Sequence, residues 1–232
     1  MIVLLHGFLS SSKYWTKLQP HLTRAGFRVI TIDLLGFGRA PKPKSSEYDY
    51  DAHVTHINTA LRSLRLDAHK IIIVGHSMGA LLASKYARRH PLRVDSLVLL
   101  HPPLYADMRE AKATLRETGR FYRFLLDSRY RTFGWMLVKT FLRYRIAAHT
   151  KHSRERSLRN VIEVAEVFGD LDSITAQTLL LVGSKDRPVY AANVANRSLS
   201  DNIEVVVEDV THHSPVQNTL LVHTLVQAFI QK

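Results

Sequence analysis

Cysteine is absent from this sequence of 232 residues, which excludes disulfide bonds, thiol catalysis and zinc sites built on sulfur. Long apolar runs are absent too, since no stretch approaches the roughly 20 residues of a membrane-spanning helix. The opening apolar run is too short for a signal peptide and has no basic leader. We therefore expect a soluble, cytoplasmic protein.

Acidic residues are scarce beside basic ones, with 20 Asp and Glu against 32 Lys and Arg and a formal net charge of +12. The excess of basic residues is concentrated between Leu104 and Arg159, a segment that contains 14 basic and 5 acidic residues. This segment contains no nucleic-acid recognition motif, so no nucleic-acid partner is expected. Weak association with anionic surfaces through this segment is the expected consequence of the charge.

Six short, apolar, β-branched runs recur along the chain with helical segments between them. Runs without polar alternation are typical of strands that are buried on both faces of a parallel sheet. Strand–helix alternation of this kind predicts an α/β fold with right-handed crossovers and a mostly parallel sheet of about six strands. The predicted strands are Ile2–Leu5, Arg28–Ile32, Lys70–Val74, Asp95–Leu100, Gln177–Val182 and Ile203–Glu208.

Three further segments have helical spacing of apolar residues, Tyr14–Ala25, Asp51–Leu66 and Pro215–Ile230. The alternation is interrupted once, where aromatic and apolar residues recur at helical spacing without a strand. We interpret this interruption as an inserted helical cap. The predicted organisation is a core formed by residues 1–103 and 171–232, with a cap at residues 104–170.

The strongest chemical signal is the sequence Gly75-His76-Ser77-Met78-Gly79, which follows a predicted strand and precedes a helical run. This is G-x-S-x-G in the strand–turn–helix setting that its mechanism requires. The tight turn projects the serine at a helix N-terminus, where the helix dipole and free N–H groups favour negative charge. Ser77 is therefore the candidate nucleophile.

A serine nucleophile needs a base within hydrogen-bond reach, and the base needs an orienting acid. Behind a G-x-S-x-G turn, the acid and then the histidine are expected to follow in the chain. Asp186 lies just after the fifth predicted strand, and His213 lies after the sixth. We prefer His213 as the base because Pro215 opens the last helix just beyond it, with His212 as the alternative. Further histidines, such as His53, are interpreted as surface residues.

A negative charge that develops on the substrate needs preorganised N–H donors. His6-Gly7-Phe8 directly follows the first predicted strand, and Gly7 lets the backbone come close. The N–H groups of Phe8 and Met78 are the candidate oxyanion hole. In the cap, aromatic residues are candidates for lining an apolar acyl pocket, namely Phe121, Trp135 and Phe141.

Five motifs in this order resemble the α/β-hydrolase superfamily, most closely its small branch of serine esterases, lipases and carbon–carbon hydrolases. The resemblance covers residues 1–103 and about 171–232. It implies that Ser77, Asp186 and His213 form the triad and that Phe8 and Met78 form the oxyanion hole. The motifs are His6-Gly7-Phe8, Asp33-Leu34-Leu35-Gly36-Phe37-Gly38, Gly75-His76-Ser77-Met78-Gly79, Asp186 and His213-Ser214-Pro215.

This resemblance implies a cofactor-free, metal-free hydrolase that cleaves a carboxylic ester or related acyl bond of a small-molecule substrate. A thioesterase, a carbon–carbon hydrolase and a cofactor-free perhydrolase would use the same residues and remain open. A noncatalytic ligand-binding protein on the same fold is the alternative of another class.

The resemblance also implies a fold that lacks the first two strands of the superfamily. The strand Arg28–Ile32 then becomes a sheet edge, which would be covered by a loop, used in a homodimer or preceded by further chain.

Overall fold

The computed structural model of the protein describes residues 1–66, 70–127 and 147–232, and for residues 118–127 it describes the backbone alone. Six parallel strands form one sheet in the order β2-β1-β3-β4-β5-β6. The sheet confirms the predicted architecture, and two of the predicted strand ranges are unchanged. The strands are β1 (Ile2–Leu5), β2 (Val29–Ile32), β3 (Ile71–His76), β4 (Val94–Leu100), β5 (Gln177–Gly183) and β6 (Ile203–Glu208).

Helices cover both faces of this sheet. Within the described ranges they are α1 (Leu18–Arg24), α2 (Tyr50–Ser63), α3 (Met78–Arg89), α4 (Met108–Asp127), α5 (Lys151–Ser157), α6 (Val167–Leu171), α7 (Pro188–Ala195), α8 (Ser214–Gln217) and α9 (Thr219–Ile230). A 3₁₀ turn spans Ser12–Trp15 and a π-helical turn spans Leu158–Ile162. None of the described helices combines the length and the apolar character needed to cross a bilayer.

The core has two halves because successive residues of each strand point to opposite faces. Val3 and Leu5 of β1 pack with Ile57 of α2 and Leu81 of α3 on one face. Ile2 and Leu4 pack on the other face with residues of α1 and α9. Both faces of β1 are buried, which explains its uninterrupted apolar sequence.

Two predicted helices are divided in the structure. The segment predicted as Tyr14–Ala25 is a 3₁₀ turn followed by α1, and the final segment is α8 followed by α9. Asn218, with φ −121° and ψ 46°, separates the last two helices. Apolar spacing alone does not reveal such a break, because both pieces bury their apolar residues on the same sheet.

Strand β2 is an edge of the sheet, as predicted from the sequence, and pairs only with β1 among the described strands. Its first three residues are half-buried and only Ile32 is buried. The other edge is β6.

The described part of the segment between β4 and β5 consists of helices joined by turns and loops, with one isolated bridge between Phe37 and His149. It is joined to the core by polar contacts. The Ser153 hydroxyl donates to the carbonyl of Gly36 at 3.0 Å, and the Tyr50 hydroxyl donates to the carbonyl of Val161 at 3.1 Å.

Candidate active site

Ser77 occupies the turn between β3 and α3, in a left-handed conformation with φ 54° and ψ −120°. Such a conformation costs about 1–3 kcal/mol in a non-glycine residue, so it persists only where the surroundings impose it. Here the Ser77 N–H donates to the carbonyl of Leu100 at the end of β4, at 2.9 Å. The turn therefore has the strained geometry that the sequence motif requires.

The two motif glycines are required by close backbone contacts. A Cβ at Gly75 would lie 2.4 Å from the carbonyl oxygen of Gly79. A Cβ at Gly79 would lie 2.3 Å from the carbonyl oxygen of Leu5 in β1. Since the obstructing atoms belong to the backbone, neither contact can be relieved by rotating a side chain.

The imidazole that contacts the candidate acid belongs to His212. Its Nδ1 lies 2.6 Å from Oδ2 of Asp186, which follows β5, while His212 lies in the loop after β6. A carboxylate only accepts, so Nδ1 carries the proton and donates it. In the neutral ring, Nε2 is then the free basic nitrogen, which is the state that a general base needs.

His213, the histidine preferred from the sequence, has a different environment. Its Nδ1 lies 3.5 Å from the Tyr14 hydroxyl, and its ring centroid lies 6.3 Å from that of Tyr14. The structure thus contradicts the pairing of Asp186 with His213 and supports the alternative, His212. Adjacent residues of a loop point their side chains in different directions, and the backbone of this turn directs the first histidine toward Asp186.

Burial raises the pKa of Asp186, but the hydrogen bond and charge of His212 and the N–H of Arg187 outweigh it, so the pKa lies below its ordinary value. The carboxylate is thus ionised at neutral pH and can stabilise a positive charge on His212. Burial lowers the pKa of His213 to about 4, which keeps this second ring neutral at the same pH.

The candidate oxyanion-hole residues flank Ser77. A Cβ at Gly7 would lie 3.1 Å from the Cβ of Ser77, so the end of β1 adjoins Ser77 closely. Phe8 follows at this point and packs edge-on against Phe37 with ring centroids 5.8 Å apart. Met78 is the first residue of α3, and first-turn N–H groups have no acceptor within the helix.

Asp33, in the second of the five sequence motifs, stabilises the backbone around it and makes no hydrogen bond with either member of the candidate acid–base pair. Its carboxylate accepts from the N–H of Ser12 at 2.6 Å and of Arg39 at 2.7 Å. A Cβ at Gly38 would lie 2.3 Å from an oxygen of the same carboxylate. Asp33 thereby joins the loop after β1 to the loop after β2.

Two buried histidines near Ser77 were missed by the sequence analysis. His76 is the variable residue of the motif, and His101 directly follows β4, where its Nε2 lies 2.6 Å from the hydroxyl of Ser214. Their ring centroids lie 4.9 Å and 6.0 Å, respectively, from that of His212. Their positions could have revealed them, because His76 ends a buried strand and His101 follows one, both at the carboxyl edge of the sheet.

The interpretation of His53 as a surface residue is wrong. His53 is fully buried, and its Nε2 lies 3.2 Å from the hydroxyl of Ser157 in α5. The partner is 104 residues away in the chain, so local spacing could not reveal this contact.

A family model described as alpha/beta hydrolase fold matches residues 1–223. The chain belongs to this family. A solved structure of MenH from S. aureus superposes on it with a TM-score of 0.79, covering 99% of this chain and 92% of that one at 22% identity. A likeness at that identity concerns the fold alone.

Two curated proteins are similar to this chain in sequence. A probable lysophospholipase of Arabidopsis thaliana, BODYGUARD 4, is 30% identical over 192 residues, which are 69% of this chain and 45% of that protein. A putative 2-succinyl-6-hydroxy-2,4-cyclohexadiene-1-carboxylate synthase of Bacillus subtilis is 27% identical over 226 residues, covering 88% of this chain and 81% of that protein. The chain spans less than half the length of the plant relative.

The candidate pocket residues of the inserted segment stay untested. Trp135 and Phe141 lie outside the described residues, and Phe121 lies in α4 where only the backbone is described. Within the described ranges, no three His, Asp or Glu side chains converge as a metal-binding group.

Proposed function

We propose that the protein is a serine hydrolase that cleaves a carboxylic ester through an acyl-enzyme on Ser77, with His212 as the base and Asp186 as the acid behind it. The observation that carries this proposal is the 2.6 Å contact between Asp186 and His212. The pair lies beside the strained turn of Ser77, because His76 in that turn contacts the backbone of His212. A complete acid–base pair next to a nucleophile turn is the arrangement that activates a serine hydroxyl.

In the proposed first half-reaction, the Ser77 oxygen attacks the ester carbonyl carbon while Nε2 of His212 takes the hydroxyl proton. The negative charge on the carbonyl oxygen is held by the N–H groups of Phe8 and Met78, each worth roughly 3–4 kcal/mol to such a barrier. The intermediate collapses as the carbon–oxygen bond to the alcohol breaks, and His212 gives its proton to that alcohol.

In the second half-reaction, water attacks the acyl-enzyme and His212 takes one of its protons. The carboxylic acid leaves as the bond to Ser77 breaks, and the proton returns to the serine oxygen. Asp186 keeps its hydrogen bond to Nδ1 throughout and stabilises the imidazolium without taking the proton.

Esters of lysophospholipids are the proposed substrate class within this chemistry. The support is the probable lysophospholipase that matches 69% of this chain, because a lysophospholipid carries one carboxylic ester. The net charge of +12 would also attract substrates or aggregates that present phosphate groups.

The test compares p-nitrophenyl esters of increasing chain length with a lysophospholipid, a thioester and a ring-cleavage dienoate. Ester turnover that disappears in Ser77→Ala is the expected result, with fatty acid released from the lysophospholipid. Turnover of the thioester or the dienoate alone would replace the ester assignment, and no turnover of any substrate would favour a binding protein.

A further inference from the structure

His76 is a buried residue of the Gly75-His76-Ser77-Met78-Gly79 motif, and the proposed mechanism assigns it no step. It lies between Gly75 and Ser77, and only 2% of its surface is exposed. Its ring stacks on that of Tyr14, with centroids 4.6 Å apart and an angle of 17° between the planes. An apolar side chain of similar size could fill the same space, so the polar atoms of His76 need an explanation.

The Nε2 atom of His76 lies 2.8 Å from the backbone carbonyl oxygen of His212. A carbonyl only accepts, so this nitrogen carries the ring proton and donates it. Burial holds the pKa of His76 well below its ordinary value, so the ring is neutral and Nδ1 is bare. Nδ1 faces Gly7, where an added Cβ would lie 2.9 Å from it.

The hydrogen bond from His76 therefore connects the two halves of the candidate site. One end is covalently adjacent to Ser77, and the other end is the backbone of His212, 136 residues further along the chain. The Tyr14 hydroxyl lies 3.2 Å from the same Nε2 and also contacts His213. The loop that bears His212 is thus held by the nucleophile turn itself.

We propose that His76 is a positioning residue, whose Nε2–H fixes the backbone of His212 and thereby sets the distance between the base and Ser77. This inference rests on the proposed function. The hydrogen bonds of the ring go to the Tyr14 hydroxyl and to the backbone of His212, not to Ser77 or to the His212 imidazole, so its effect is on the placement of the base. A loss of this contact is expected to lower kcat and leave KM nearly unchanged.

Two amide variants differing by one methylene group make a matched pair. In His76→Gln the side-chain N–H₂ reaches about as far as Nε2, whereas in His76→Asn it is too short to reach His212. The Asn variant is expected to lose roughly 10- to 100-fold in kcat, because a small misplacement of a catalytic group can lower the rate by this much. The Gln variant is expected to recover most of that loss.

Melting temperatures measured in parallel separate positioning from packing. If both variants lose kcat in equal measure, or if the Asn variant keeps the wild-type kcat, the positioning role is wrong. A loss of kcat that follows the melting temperature instead of the reach of the amide would also contradict it.

A second measurement does not depend on turnover. In protein labelled with ¹⁵N-histidine, the Nδ1–H of His212 that is bonded to Asp186 should exchange faster with water in His76→Asn than in wild type or His76→Gln. Equal exchange in all three proteins would overturn the inference. If wild type cleaves no ester, the proposed function fails, while this measurement still decides the role of His76.

Discussion

Asp186 and His212 share a 2.6 Å hydrogen bond between loops that follow β5 and β6. The two residues are 26 positions apart and meet because parallel strands bring their carboxyl ends to the same edge of the sheet. This contact selects one of two adjacent histidines and defines which nitrogen is available as a base.

Replacing Asp186 with Asn should lower kcat by about 10³–10⁴-fold, since an amide neither fixes the reactive tautomer nor stabilises the imidazolium. KM should change little. The matched control is Asp209→Asn, whose carboxylate lies in the neighbouring loop and is bonded to Ser184 and Lys185. Steady-state kinetics on one ester would compare them, and equal losses in the two variants would argue against a special role for Asp186.

The strand–turn–helix motif around Ser77 could be predicted from the sequence. Its glycines, its strand and its helix are local features, and each has a steric cause within a few residues. Strand β6 was predicted residue for residue for a similar reason, since a β-branched run between polar turns has few alternatives. The choice between His212 and His213 could not be made this way. This choice depends on the backbone direction within one turn. Contacts with Tyr14, His76 and His101, which are distant in the chain, determine that direction.

Gly79→Ala should destabilise the fold, because the added Cβ would lie 2.3 Å from the carbonyl oxygen of Leu5. Overpacking of this kind typically costs about 1–3 kcal/mol in the free energy of unfolding. Gly169→Ala in α6 is the control, since its Cβ would meet no atom within 4 Å and alanine favours a helix. Urea denaturation should show a lower midpoint for the first variant alone, and equal midpoints would contradict the packing at the turn.

Lys85 of α3 is buried, and its Nζ lies 2.6 Å from Glu166 and 2.8 Å from Asp170 in the segment that precedes β5. Lys85→Met should lower the free energy of unfolding by up to about 3 kcal/mol, since breaking a buried ion pair leaves the Asp170 charge less compensated. Arg88 remains bonded to Asp170 and limits the loss. Lys232→Met removes an exposed pair and should leave the urea midpoint unchanged; similar effects of both variants would refute the prediction.

Acid should destabilise the protein well before its carboxylates are protonated. Burial lowers the pKa of His6 and His213 to about 4 and of His53 and His101 to about 3. Between pH 6.5 and these values the unfolded chain binds more protons than the folded chain, so stability falls as pH falls. Each such histidine contributes a slope of up to about 1.4 kcal/mol per pH unit.

Urea denaturation at several pH values between 7.5 and 5 measures this slope. His53→Gln should reduce the slope below pH 6.5 by up to about 1.4 kcal/mol per pH unit, one histidine's share, because the buried ring takes up a proton only on unfolding. Stability that is constant over this range in wild type would mean that the buried rings are not neutral in the folded state.

The roles of Ser77 and His212 are tested most directly by the rate at which a fluorophosphonate probe labels the protein, with the adduct located by mass spectrometry. Wild type should be labelled on Ser77. The His212→Gln variant should be labelled at least about 10³-fold more slowly, because its base is lost. The His213→Gln variant should be labelled at a rate close to that of wild type. An adduct on another residue, or slow labelling of His213→Gln beside normal labelling of His212→Gln, would contradict the assignment of Ser77, His212 and Asp186.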